Sequence, residues 1–157
     1  MPEQELLAAL GRVPSGLFIV TARHGRQETG MLASWVQQCA FVPPSLTLAI
    51  KQGRYVGEWL KAGCPWSLNI LGEEQTDLIG HFGRGFAPDQ DAFAGLAVLR
   101  RPELPPILSE CLAYLDCRVR HWQETGDHTL FIGEVVGGAV LQSGRPMIHV
   151  RRTAAHY

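Results

Sequence analysis

A chain of 157 residues is long enough to bury a sizeable core, and 46% hydrophobic with 18% charged residues excludes a disordered polymer. The formal net charge of −1 offers no basic field to nucleic acid, and no apolar run approaches the length of a membrane span. The start carries Glu3 and Glu5 with no basic region and apolar stretch behind it, so no signal peptide is expected and a cytoplasmic location is. A single domain over residues 1–157 is the expectation.

In chain order, Leu6, Leu7 and Leu10 share one helical face, with Gly11 as the C-cap of a short N-terminal helix. Leu17 to Ala22 is β-branched and aromatic and reads as a strand. His24-Gly25-Arg26-Gln27 is a hairpin turn, and the chain returns through Gly30 toward Ser34. The small residues of Gly30-Met31-Leu32-Ala33-Ser34-Trp35 read as a turn between strands, either one whose N–H groups approach an anion or a plain structural turn. Pro43-Pro44 sets the direction of the next strand, Ser45 to Lys51. Val56, Trp59 and Leu60 fit a helix, and Trp66, Leu68 and Ile70 alternate as a strand.

Gln75, Leu78, Ile79 and Phe82 follow helical spacing, and Glu73 and Glu74 are placed in the first turn of that helix, where its dipole favours carboxylates. Residues 83–106 hold Gly, Pro and Asp and read as loop. Gly80, Gly83 and Gly85 follow a helix, not a strand, and are no dinucleotide fingerprint. Leu115, Cys117 and Val119 alternate with Asp116, Arg118 and Arg120, giving a half-buried antiparallel strand; a turn at Thr125-Gly126-Asp127 leads into His128 to Leu141. The sum is a mainly antiparallel β-barrel with short peripheral helices. Cys39, Cys64, Cys111 and Cys117 contain no C-x-x-C and read as reduced core thiols; the six histidines form no metal-ligand spacing, so no metal site is expected.

Several motifs in order resemble the flavin reductase-like, FMN-binding split-barrel family. That family carries G-M-T-A-S-S, followed a short stretch later by P-P; here Gly30 to Trp35 is followed by seven residues and then Pro43-Pro44. Ser67-Leu68-Asn69-Ile70-Leu71 is similar to its V-N-V-L strand. Gly126-Asp127-His128 with Phe131-Ile132-Gly133-Glu134-Val135 is similar to its G-D-H-x-x-F-I-G-E-V. Ile148-His149-Val150-Arg151-Arg152, on to His156-Tyr157, resembles the end of the reductase domain of cyanobacterial diflavin flavoproteins, as does Ser34-Trp35-Val36. The di-iron module of those proteins is not expected within these 157 residues.

The resemblance implies an antiparallel split β-barrel, a homodimer, and FMN held by the turn and the residues after it. Carried over one at a time, those positions are Leu32, Ala33, Ser34, Trp35, Gln38 and Ala40. The family threonine is replaced by Leu32, the second serine by Trp35, and later hydroxyl positions by Gln37, Gln38 and Ala40; Ser34 alone keeps its hydroxyl. Lys51 and Arg54 fall where the family places groups near the phosphate, although a solvated surface turn would carry the same residues. Trp35 would cover the flavin ring or simply pack. Phe82, in His81-Phe82-Gly83, matches a family residue that reaches the flavin from the partner subunit.

His128 matches the histidine on the nicotinamide side of the flavin and is the candidate catalytic residue, with a structural strand-start histidine as the alternative. The activity implied is hydride transfer from NADH or NADPH to bound FMN, then electrons to oxygen, a metal complex or an acceptor protein. The alternatives are a flavin-binding electron carrier and a degenerate ligand-binding module without NAD(P)H activity.

Overall fold

A computed structural model of the chain describes residues 2–155, so His156 and Tyr157 of the last motif lie outside the described residues. The elements are α1 (Glu3–Leu10), β1 (Ser15–Gly16), β2 (Phe18–His24), β3 (Gln27–Ala33), β4 (Val36–Phe41), β5 (Pro44–Lys51), α2 (Tyr55–Lys61), β6 (Trp66–Ile70), α3 (Thr76–Gly83), β7 (Val98–Leu99), β8 (Ile107–Leu108), β9 (Ala113–Glu124), β10 (His128–Val140) and β11 (Ile148–His149). Among the described residues the main sheet has seven antiparallel strands in the order β3-β2-β6-β9-β10-β5-β4.

The two edges of that sheet, β3 and β4, are consecutive in sequence and separated only by Ser34 and Trp35. Three Cα–Cα steps span at most about 11 Å. The sheet must therefore curl until its edges nearly meet, yet they do not pair. The result is a split β-barrel with few helices, as the sequence implies.

Two hydrophobic clusters hold it. One fills the barrel with Val20, Leu48, Trp66, Leu68 and Phe131. The other lies outside the barrel wall, where Ile19, Leu71, Phe82, Phe93, Ile107 and Met147 pack under α3 and the long loop after it. Strand β2 sends Val20 into the first and Ile19 into the second, so both its faces are buried and its sequence shows no polar alternation.

The structure differs from the sequence reading in several places. Gly30 to Ala33 is not turn but the end of β3; its glycine is required because a Cβ there would stand 2.5 Å from the Phe82 ring. Residues 36–41, given no strand in that reading, form β4, held by hydrogen bonding to β5 rather than by burial. Glu73 and Glu74 precede α3, and Asp77 is the acid in its first turn. Gln75 ends the approach instead, its Oε1 accepting from Gly72 N–H at 2.7 Å and its Nε2 donating to Glu110 O at 2.7 Å. Cys39 is exposed on β4, whereas Cys111 and Cys117 are buried thiols; burial pushes Cys111 up to about 11, and burial with the Asp116 charge pushes Cys117 up to about 12.

Asp116, expected on the solvent side of β9, is buried against Arg101 and Ser67. Arg101 Nη1 and Nη2 donate to its two oxygens at 2.6 and 2.8 Å, and Ser67 Oγ donates at 2.5 Å. Burial raises the carboxyl's pKa, but the hydrogen bonds and the Arg101 charge outweigh it and hold it below the usual carboxylate value of 3.8. A depressed folded pKa stabilises fully above the unfolded value, and that stability is lost as pH falls through the folded one. Asp116→Asn should therefore cost about 1.5–3 kcal/mol at pH 7, the range for hydrogen bonds to a charged group. The gap to wild type should narrow below about pH 4. Urea melts at pH 7 and pH 3 measure this, and an equal gap at both would remove the carboxylate from the account.

Candidate functional site

A cleft of about 420 Å³ opens at the seam where β3 passes into β4. One wall is Met31, Leu32 and Ala33 of β3 with Ser34 and Trp35 of the link. The other is Ala49, Ile50 and Lys51 at the end of β5, followed by Arg54 before α2. Ile79, Phe82 and Gly83 of α3 form the floor, and Leu17 and His149 stand beside it. Ala49 N–H donates to Trp35 O at 3.0 Å, which fixes the link against β5. Ser34 Oγ makes no hydrogen bond to any of the described residues.

The lining is largely apolar, which suits a flat ring system. Its charged or titratable members are Lys51, Arg54 and His149, and among the described residues no carboxylate lines the cleft. An anion therefore meets positive charge without an opposing acid.

Seven of the residues singled out in the sequence line this one cleft: Leu32, Ala33, Ser34, Trp35, Lys51, Arg54 and Phe82. Phe82 lines it within the chain, as a 2% exposed core residue packed on Gly30. Gln38 and Ala40 are not brought there. They lie on β4 beyond the link, with Gln38 exposed and donating through Nε2 to Ala40 O at 3.3 Å. The β4–β5 register shifts between them.

His128 is one layer back from the cleft. It opposes Lys51 across the β10–β5 ladder and packs its ring 4.8 Å from that of Trp35. Its Nδ1 lies 2.8 Å from Asp127 Oδ1, and the hydrogen bond to His128 holds the Asp127 carboxyl below its ordinary value. His149, Met31, Leu17 and Ile79 were missed as site residues. His149 stands in a motif that the sequence does display, but nothing local says that β11 would pair with β1 and return to the seam.

A split barrel with a largely apolar cleft at its seam, and Lys51, Arg54 and His149 among the lining, is the class that the fold and geometry define. More narrowly, the chain belongs to the flavin reductase-like family, whose sequence profile, "Flavin reductase like domain", matches residues 10–156. It is 39% identical over 159 aligned residues to a putative diflavin flavoprotein A 6 of Nostoc sp. strain PCC 7120, covering 100% of this chain and 28% of that protein. It is 40% identical over 161 to a putative diflavin flavoprotein A 3 of Synechocystis sp. strain PCC 6803, covering 100% of this chain and 27% of that one. The chain thus spans less than a third of the length of these relatives. In fold it is similar to the NADH:FAD oxidoreductase of Streptomyces globisporus C-1027, with a TM-score of 0.83 at 24% identity over 91% of this chain and 85% of that one.

Proposed function

We propose that this chain binds FMN in the seam cleft and catalyses its reduction by NADH or NADPH, delivering the electrons to a further acceptor. The observation that carries the reading is the cleft itself: about 420 Å³, apolar in its walls, cationic at Lys51 and Arg54, and lined by Ser34 with an uncommitted hydroxyl. Those features fit a flavin mononucleotide, with the ring against Leu32, Trp35 and Phe82 and the phosphate at Lys51 and Arg54. A bound flavin supplies the redox chemistry, accepting a hydride from the pyridine nucleotide. The chain's residues bind, orient and exclude water. Family membership supports the class of reaction, and the Streptomyces protein, which has also been solved with NAD and FAD fragments, supports the pairing of the two ligands.

Asp127 fixes the ring of His128, and His128 backs Trp35, so this histidine is placed to orient the substrate side of the cleft through the tryptophan. The purified protein should show flavin absorbance that NADH or NADPH bleaches. His128→Ala should slow that bleaching roughly tenfold to a hundredfold in stopped flow, about 1.4–2.7 kcal/mol in barrier, with FMN affinity nearly unchanged. Flavin that neither nucleotide reduces would favour an electron carrier. No flavin at all would favour a degenerate binding module, the reading that the apolar side chains of Leu32 and Trp35 support.

Arg54→Ala should weaken FMN by about 1.5–3 kcal/mol. Riboflavin, which lacks the phosphate, should be affected far less. Calorimetric titration of both ligands decides this, and equal losses would take Arg54 off the phosphate.

The same reading includes a homodimer in the cytoplasm. It is supported by apolar side chains left in water: Phe41 and Val42 at the β4–β5 tip are 87% and 92% exposed, and Val136 of β10 is 53% exposed. The β10–β5 register ends at Glu134 and Ser45, which brings that tip alongside the Val136 stretch, and such patches mark association surfaces. Light scattering should give twice the chain mass at micromolar concentration, and Phe41→Glu should return it to one; a wild-type monomer with flavin bound would end the dimer.

A further inference from the structure

We propose that His149 and Arg151 form a subsite for the pyrophosphate of a dinucleotide at the seam cleft. This rests on the flavin reading of the cleft and extends it to the second ligand.

The two residues sit on a strap, residues 145–154, that is tied down along its length. Glu73 N–H donates to Arg145 O at 2.9 Å, and Met147 N–H to Leu71 O at 3.0 Å. Ser15 and Gly16 pair with His149 and Ile148. Arg151 N–H then donates to Gly11 O at 3.2 Å, and Ala154 N–H to Leu7 O at 2.9 Å. Gly11 has no room for a side chain, because a Cβ would come within 2.9 Å of Arg151 O and Thr153 N. The backbone therefore fixes where the two side chains emerge.

One emerges at the cleft and the other beside it. His149 lines it, and the Arg151 guanidinium lies 5.1 Å over the ring of Trp35, which lines it too. Among the described residues Arg151 has no ion-pair partner, and its Nη1 is out of water with no acceptor. By contrast, Arg101 and Arg120 are paired with carboxylates. A donor removed from water and left unpaired does not recover its desolvation cost. Nη1 itself is out of a ligand's reach, so an anion at the cleft would meet the other nitrogens of this guanidinium, whose charge no carboxylate among the described residues answers.

Charge counting separates this pair from the other. FMN carries one phosphate, and Lys51 and Arg54, on the β5–α2 junction, already answer it. His149 and Arg151 come from a different segment and have no anion in that scheme. A pyrophosphate has two linked anionic groups, and a guanidinium fork with a neighbouring imidazole N–H matches it. Both a pyridine dinucleotide and FAD carry that group, and the chemistry of recognition is the same for each.

The test is calorimetric titration of the full chain with FMN, FAD, NAD⁺ and ADP-ribose, in wild type, Arg151→Ala, Arg151→Lys and His149→Gln, with thermal melts to confirm folding. Arg151→Ala should weaken ADP-ribose and NAD⁺ about tenfold, and Arg151→Lys and His149→Gln less, while FMN stays within twofold. A loss confined to FAD would support the subsite and give its anion to the flavin. Unchanged binding of all three pyrophosphate ligands, an equal loss for FMN, or no binding of any of the three by wild type would overturn it. Failure of the flavin reading appears separately, as wild-type protein that binds no FMN.

Discussion

Everything at the site depends on the link Ser34-Trp35. Two residues are enough to carry the chain from one edge of a seven-stranded sheet to the other, so the sheet has to close on itself. The two edges meet at this link but run on without pairing to each other. An unpaired seam in a closed sheet is a concave, partly apolar strip, and it is there that the cleft forms. Ala49 N–H bonding to Trp35 O at 3.0 Å stops the link from folding into the gap.

The floor of that cleft is also core. Phe82 belongs to the outer hydrophobic cluster and touches the cleft with the same ring. Gly30 lets that ring press directly on the β3 backbone. Packing thus sets the shape of the pocket, and the flexible side chains Lys51 and Arg54 are confined to its rim.

Much of the fold was legible in the sequence because burial leaves a period. The strands β2, β5, β6, β9 and β10 and the helices α2 and α3 bury one face or both, and their residue patterns show it. β4 was not legible: Gln37, Gln38 and Cys39 are all exposed, and the strand exists because β5 offers hydrogen bonds. Gly30 to Ala33 looked like a turn because small residues serve turns and close packing equally. Asp116 looked solvated because its partner, Arg101, lies in an irregular segment with no period to read. For the site, the contiguous residues Leu32 to Trp35 line one cleft, while Gln38 and Ala40 lie outside its lining, beyond the bulge that shifts the register. His149 needed the β1–β11 pairing, a contact across most of the chain that no local pattern encodes.

That last feature has a thermodynamic side. The cleft draws on Leu17, the β3 end, the β5 end, α3 and His149, segments spread from near one end of the chain to near the other. No fragment of the sheet contains it, so it exists only in the fully closed barrel. Any ligand that fills it acts on the global unfolding equilibrium rather than on a local one, adding about 2.7 kcal/mol when present at a hundred times its dissociation constant. Occupancy and cooperativity are thereby tied together, and a melting curve of this small barrel doubles as a reading of how full its seam is.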